Sequence, residues 1–148
     1  ATLGAEILLW NRRQERAEIL AREIGGQSVK REELLRPGFK VAAVVNTTPV
    51  GMYPHVGESP LEGEEIPAGC LVFDTVYNPL RTKLLQLAEE RGHRTLAGLA
   101  MFVGQGAAQF EMFTGRPAPR EVMERVVRAA LARGVGGSKF HERLPVKR

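Results

Sequence analysis

Two near-continuous apolar runs, Lys40-Val41-Ala42-Ala43-Val44-Val45-Asn46 and Leu71-Val72-Phe73-Asp74, constrain this chain more than any other feature. A strand wet on one face alternates apolar and polar residues, whereas a run without alternation marks a strand covered on both faces. Such strands belong to parallel sheets, whose crossover connections lay helices over the faces. The remaining segments supply those crossovers. Glu6–Trp10 and Gln27–Val29 read as short strands, with Gln14 to Ile24 between them as a helix. Its inward stripe is Ala17, Leu20, Ala21 and Ile24, spaced i, i+3, i+4, i+7, and Gly25-Gly26 ends it. A helix is predicted from Leu80 to Arg91, then a strand at Arg94–Leu96, a helix from Leu99 to Phe113 and a last helix from Pro119 to Arg133. The last helix carries Val122, Val126, Val127, Ala130 and Leu131 on one side. Strands alternating with helices predict an α/β fold with a doubly wound parallel sheet. The Pro-rich connection from Tyr53 to Ala68 reads as a surface loop, and 134–148 as a mobile tail.

Composition removes several classes of function. At 148 residues the chain suits one domain, and 43% apolar with 26% charged residues is ordinary for a soluble protein. No apolar run approaches the roughly 20 residues of a membrane span, and no leader pattern opens the sequence. The single cysteine, Cys70, cannot form an internal disulfide and suits a reducing cytoplasm; preceding a buried strand, it reads as core rather than nucleophile. The net charge is +4, but its arginines are dispersed, around Arg31 and Arg36 among other places, so a solvated basic surface is expected rather than a nucleic-acid face. His55, His93 and His141 have no ligand-spaced companions, and no metal site is predicted. Gly104-Gln105-Gly106 and Gly134-Val135-Gly136-Gly137 follow no strand, so neither reads as a phosphate loop.

Ligands in doubly wound folds bind outside the carboxyl ends of the strands. Four loops fall there: Asn11–Arg13, Asn46–Met52, Asp74–Pro79 and Ala97–Gln105. The first carries Asn11, Arg12 and Arg13, with Arg16 a turn later and no acid before Glu15. Guanidinium groups there can grip a ribose phosphate, as NADP requires, where an NAD site would offer a carboxylate. The plainer alternative makes Asn11 an N-cap, but cations in a first helical turn oppose the macrodipole. Thr47 and Thr48 can line a cofactor channel or simply close a polar turn. Tyr77 can bond a hydroxylated substrate or be a core aromatic with a wet tip. Gln105, among Leu99, Met101, Phe102 and Val103, needs partners, either backbone or ligand.

Taken together, Asn11-Arg12-Arg13-Gln14-Glu15-Arg16-Ala17, Asn46-Thr47-Thr48-Pro49-Val50-Gly51-Met52, Asp74-Thr75-Val76-Tyr77-Asn78-Pro79 and Gly98-Leu99-Ala100-Met101-Phe102-Val103-Gly104-Gln105 resemble the NADP-binding domain of the shikimate dehydrogenase family. Gln109 through Pro119 matches as well, and the form fused behind a dehydroquinate dehydratase is especially similar. The resemblance implies a Rossmann-like domain over 1–133, NADP as cofactor, and reduction of 3-dehydroshikimate to shikimate in aromatic amino-acid biosynthesis. It implies that Asn11, Arg12 and Arg16 hold the adenosine phosphate, with Arg13 less secure because the family often has threonine there. Thr47, Thr48, Gly98 and Met101 would lie along the cofactor, while Tyr77 and Gln105 would reach the substrate. The family's catalytic lysine and aspartate belong to an N-terminal domain that has no counterpart here, so no catalytic residue is assigned. The first βα unit and its Gly-rich turn are also without a match. The expectation is an incomplete sheet that rearranges, swaps a strand into a homodimer or is unstable, and weak NADP binding by this chain alone. The competing readings are a dehydrogenase for quinate or with another cofactor preference, and a non-catalytic interaction module.

Overall fold

The computed structural model describes residues 4–133. The tail, 134–148, lies outside the described residues, as do Ala1, Thr2 and Leu3. The order along the chain is β1 (Leu8–Leu9), α1 (Gln14–Ile24), β2 (Gln27–Ser28), α2 (Arg31–Leu34), β3 (Ala43–Asn46), β4 (Leu71–Asp74), α3 (Lys83–Glu90), β5 (Arg94–Ala97), α4 (Leu99–Thr114) and α5 (Arg120–Ala132). Every strand pairing is parallel. The architecture is therefore α/β, of the Rossmann-like kind. The strands form two sheets, β1-β2 and β3-β4-β5, and no pairing joins the two sheets among the described residues.

In the larger sheet the register aligns Asn46, Asp74 and Ala97, so the three strands end level. The core sits on the α3 side, where Leu61, Ile66, Cys70, Val72, Leu84, Leu85 and Ala88 are buried together. Trp10, Leu34, Val41 and Val44 pack against this cluster, which links the β1 end to the larger sheet. The predicted surface loop contributes two of these core residues, Leu61 and Ile66, around a 3-10 turn at Gly63–Glu65. Burying those side chains outweighs the proline-rich character of the connection.

Several expectations about faces need revision. Val45 and Leu96 are exposed on the sheet face opposite the core, so β3 is not covered on both faces among the described residues. Within α1, Ala17 and Ala21 are buried, while Leu20 and Ile24 are exposed. Helix α5 buries no residue; Val122 and Val126 are exposed, because among the described elements α4 is its main neighbour. Asn11 is not the cap of α1. That position is Arg13, whose backbone N–H donates to Asn11 Oδ1 at 2.9 Å, closing a turn one residue pair earlier. Helix α3 starts at Lys83 rather than Leu80, because Thr82 supplies the capping hydroxyl, accepting from Leu85 N at 3.4 Å.

Candidate functional site

The level ends of β3 and β4 bring the loops after them side by side. Thr47, Thr48, Pro49, Met52, Tyr53, Thr75, Val76, Tyr77 and Asn78 line a hollow of about 420 Å³ there. Three residues singled out from the sequence, Thr47, Thr48 and Tyr77, share that hollow. Backbone and side chain both pin the two loops together, since Thr75 N and Thr75 Oγ1 donate to Asn46 O at 3.0 and 2.8 Å. Tyr53 N donates to Asn78 O at 2.9 Å and closes the far rim.

Helix α4 enters from β5 through Gly98, and the approach is very close. A Cβ at Gly98 would lie 2.2 Å from Thr75 O and 2.8 Å from Val76 O, so only glycine fits. This contact sets α4 against the rim of the hollow. One turn along, Phe102 stacks on Tyr77, with ring centroids 4.3 Å apart and planes at 23°. Tyr77 is half-buried by that stack, which sequence spacing did not reveal.

Met101 and Gln105 are not in the hollow. Met101 is exposed on the first turn of α4. Gln105 is exposed too, so the argument that it needs buried partners does not hold. It lines a second, apolar groove of about 440 Å³ between α4 and α5, with Phe102, Gln109, Val122 and Met123 among its neighbours. Phe102 links the two, stacking on Tyr77 of the hollow while itself lining this groove.

The basic turn follows β1, in the smaller sheet. Arg12, Arg13 and Arg16 are exposed, and none joins an ion pair among the described residues. Their turn is nevertheless anchored. Gln14 Nε2 donates to Ser28 Oγ at 2.7 Å, tying the start of α1 to β2. Trp10 packs on the core, and the Arg31 guanidinium lies 5.6 Å from its ring. Arg31 in turn forms a two-pronged pair with buried Glu65, Nη2 to Oε2 at 2.7 Å. That hydrogen bond holds the Glu65 carboxyl below its ordinary range and raises Arg31. Arg31, although exposed, is thus also a joint in the fold.

Cys70 is buried and part of the core, as its position before a strand predicts, and burial pushes its thiol pKa up. No group of three or more metal-ligating side chains occurs among the described residues, and no described helix is long and apolar enough to cross a membrane. Three buried polar residues were given no role of their own by the sequence: Asn46 and Asp74, which open two of the candidate loops, and Thr82. The available signal was an aspartate closing an apolar strand, a charge that folding must surround with donors.

Residues 98–128, which span the Gly98 approach, α4 and most of α5, match the family described as Shikimate 5'-dehydrogenase C-terminal domain. The chain is 43% identical, over 93% of its length, to the shikimate dehydrogenase (NADP(+)) of Moorella thermoacetica. The chain belongs to the shikimate dehydrogenase family. It is also 44% identical to the bifunctional 3-dehydroquinate dehydratase/shikimate dehydrogenase of Arabidopsis thaliana, over 80% of this chain and 20% of that one. Among solved structures of the family, shikimate 5-dehydrogenase from Thermus thermophilus, in complex with NADP(H) and shikimate, superposes with a TM-score of 0.78 at 35% identity. That superposition covers 87% of this chain and 48% of the other. The chain spans about half the length of the Moorella relative as well, 50% of it.

Proposed function

We propose that this chain is the cofactor-holding half of an NADP-dependent shikimate dehydrogenase, reducing 3-dehydroshikimate to shikimate. The observation that carries the reading is the shared hollow of Thr47, Thr48 and Tyr77, at the strand ends of a member of this family. The chemistry of the donor set fits the cofactor. Exposed guanidinium groups at Arg12, Arg13 and Arg16, with the Asn11 amide beside them, suit the ribose phosphate that distinguishes NADP from NAD. Thr47, Thr48 and Gly98 follow the cofactor toward its reactive ring, and Tyr77 meets the substrate. Roles for Met101 on the cofactor and Gln105 on the substrate rest on the family resemblance alone, since both lie outside the hollow.

When bound, NADPH supplies the hydride. The residues of this chain orient and select. Tyr77, braced by Phe102, presents its phenol to a substrate hydroxyl at little entropic cost. The alkoxide that forms as hydride arrives needs a proton, and the reading assigns that acid outside the domain spanning 1–133. No residue of this chain is given a catalytic role.

The test is a steady-state assay of the intact protein with NADPH or NADH against 3-dehydroshikimate or 3-dehydroquinate. The reading expects turnover of 3-dehydroshikimate with a clear preference for NADPH. Equal use of NADH, a preference for 3-dehydroquinate, or no turnover with any pair overturns it.

A further inference from the structure

Asn46, Asp74 and Thr82 take no part in the proposed chemistry, yet they are 4%, 0% and 0% exposed and bonded to one another. Each belongs to a different element: the last residue of β3, the last of β4 and the cap of α3. Asp74 Oδ2 accepts from Thr82 Oγ1 at 2.6 Å, and its Oδ1 accepts from Asn46 Nδ2 and Val76 N, both at 3.0 Å. All three partners are donors, so the carboxylate acts purely as an acceptor. Asn46 passes the constraint on. Its Oδ1 accepts from Thr48 N at 3.0 Å and Thr48 Oγ1 at 2.7 Å.

A single bonded path therefore runs from the first turn of α3 to both walls of the hollow. One branch ends at Thr48, the other at Val76, next to Tyr77. A buried carboxylate tolerates the loss of a donor poorly, so the arrangement has one satisfied state and no cheap alternative. Asn46, Asp74 and Thr82 are not among the residues that line the hollow, yet they bond to ones that do.

We infer that Thr82 is a positioning residue for this site, acting through Asp74 and Asn46 to hold Thr48 and Tyr77 in place. The inference rests on the proposed function. The discriminating variant is Thr82→Val, which keeps the shape but removes both the hydroxyl donated to Asp74 and the acceptor for Leu85 N. Thr82→Ser keeps both. In the intact protein Thr82→Val is expected to lower kcat/KM for NADPH-dependent reduction by about 10- to 100-fold, the scale of small misplacements in a site. The loss should fall more on kcat than on KM for NADPH, whose phosphate grip lies at the Arg12 turn, and Thr82→Ser should restore activity. Hydrogen exchange, followed by mass spectrometry without ligand, should quicken across 46–50 and 74–77. If Thr82→Val does not fold, Thr82→Ala is read in the same way.

A lower melting temperature with unchanged kcat/KM and unchanged exchange in those two loops overturns the inference. So does a Thr82→Ser variant as impaired as Thr82→Val. Absence of dehydrogenase activity in the unsubstituted protein counts against the proposed function instead, and the exchange measurement then decides the positioning role alone.

Discussion

Replacing Gly98 by alanine separates packing from conformation unusually well. Its φ of −63° and ψ of −14° are ordinary for any residue, so alanine meets no backbone objection. On conformational entropy alone the change stabilises by about 0.4–1 kcal/mol. Against this, the new Cβ falls 2.2 Å from Thr75 O, 2.6 Å from Thr75 C and 2.8 Å from Val76 O. These are backbone atoms, and no rotamer change relieves the contact; α4 must retreat from the end of β4. Overpacking of this kind typically costs about 1–3 kcal/mol, and a clash with rigid backbone belongs at the upper end. The net expectation is a loss of about 2 kcal/mol. Gly104, in the same helix, is the control, because a Cβ there meets nothing within 4 Å. Gly104→Ala should gain up to about 1 kcal/mol, the helix-propensity difference. Urea unfolding of both variants, followed by helical circular dichroism, gives the comparison. Gly98→Ala matching or exceeding the parent in stability refutes the close approach, and with it the account of how α4 is set against the hollow.

Further outcomes follow from the same geometry. Tyr77→Phe keeps the stack on Phe102, so stability should move by less than about 0.5 kcal/mol, while the loss of one hydrogen bond to substrate should raise its KM roughly tenfold; an unchanged KM removes Tyr77 from the substrate site. Arg12→Gln with Arg16→Gln should raise KM for NADPH by about tenfold or more and leave NADH use unaltered, as measured by initial rates with each cofactor. Glu65, held below its ordinary range by Arg31, contributes stability that is fully present above the usual carboxylate range and is lost as pH falls through the lowered folded value. Glu65→Gln should therefore cost about 1–3 kcal/mol near neutrality. Its unfolding free energy should also fall less steeply than the parent's on acidification, and parallel pH profiles would contradict this. Cys70, buried and with its thiol pKa raised, should react with an aromatic disulfide reagent only as fast as the protein unfolds.

By itself the sequence determined the class of fold and marked four strand-end loops, two of which the level strand ends bring side by side. Apolar runs and helical periodicity are local properties, and they place β3, β4, α1, α3, α4 and α5 to within a few residues. The residue types in the four strand-end loops then carried the family resemblance, which implied the cofactor. What stayed hidden was decided by groups distant in sequence. Which face of β3 is covered, and that α5 buries no residue, depend on which elements pack against which, and periodicity names a stripe without naming its neighbour. The short helix α2 escaped because four residues carry almost no periodic signal; its place is held by the pair of Arg31 with Glu65, 34 residues on. Gln105 read as a buried amide but is exposed, because α4 turns that side to a groove. The network of Asn46, Asp74 and Thr82 joins two strand ends to a helix cap, and only the level register of parallel strands brings those three side chains within bonding reach.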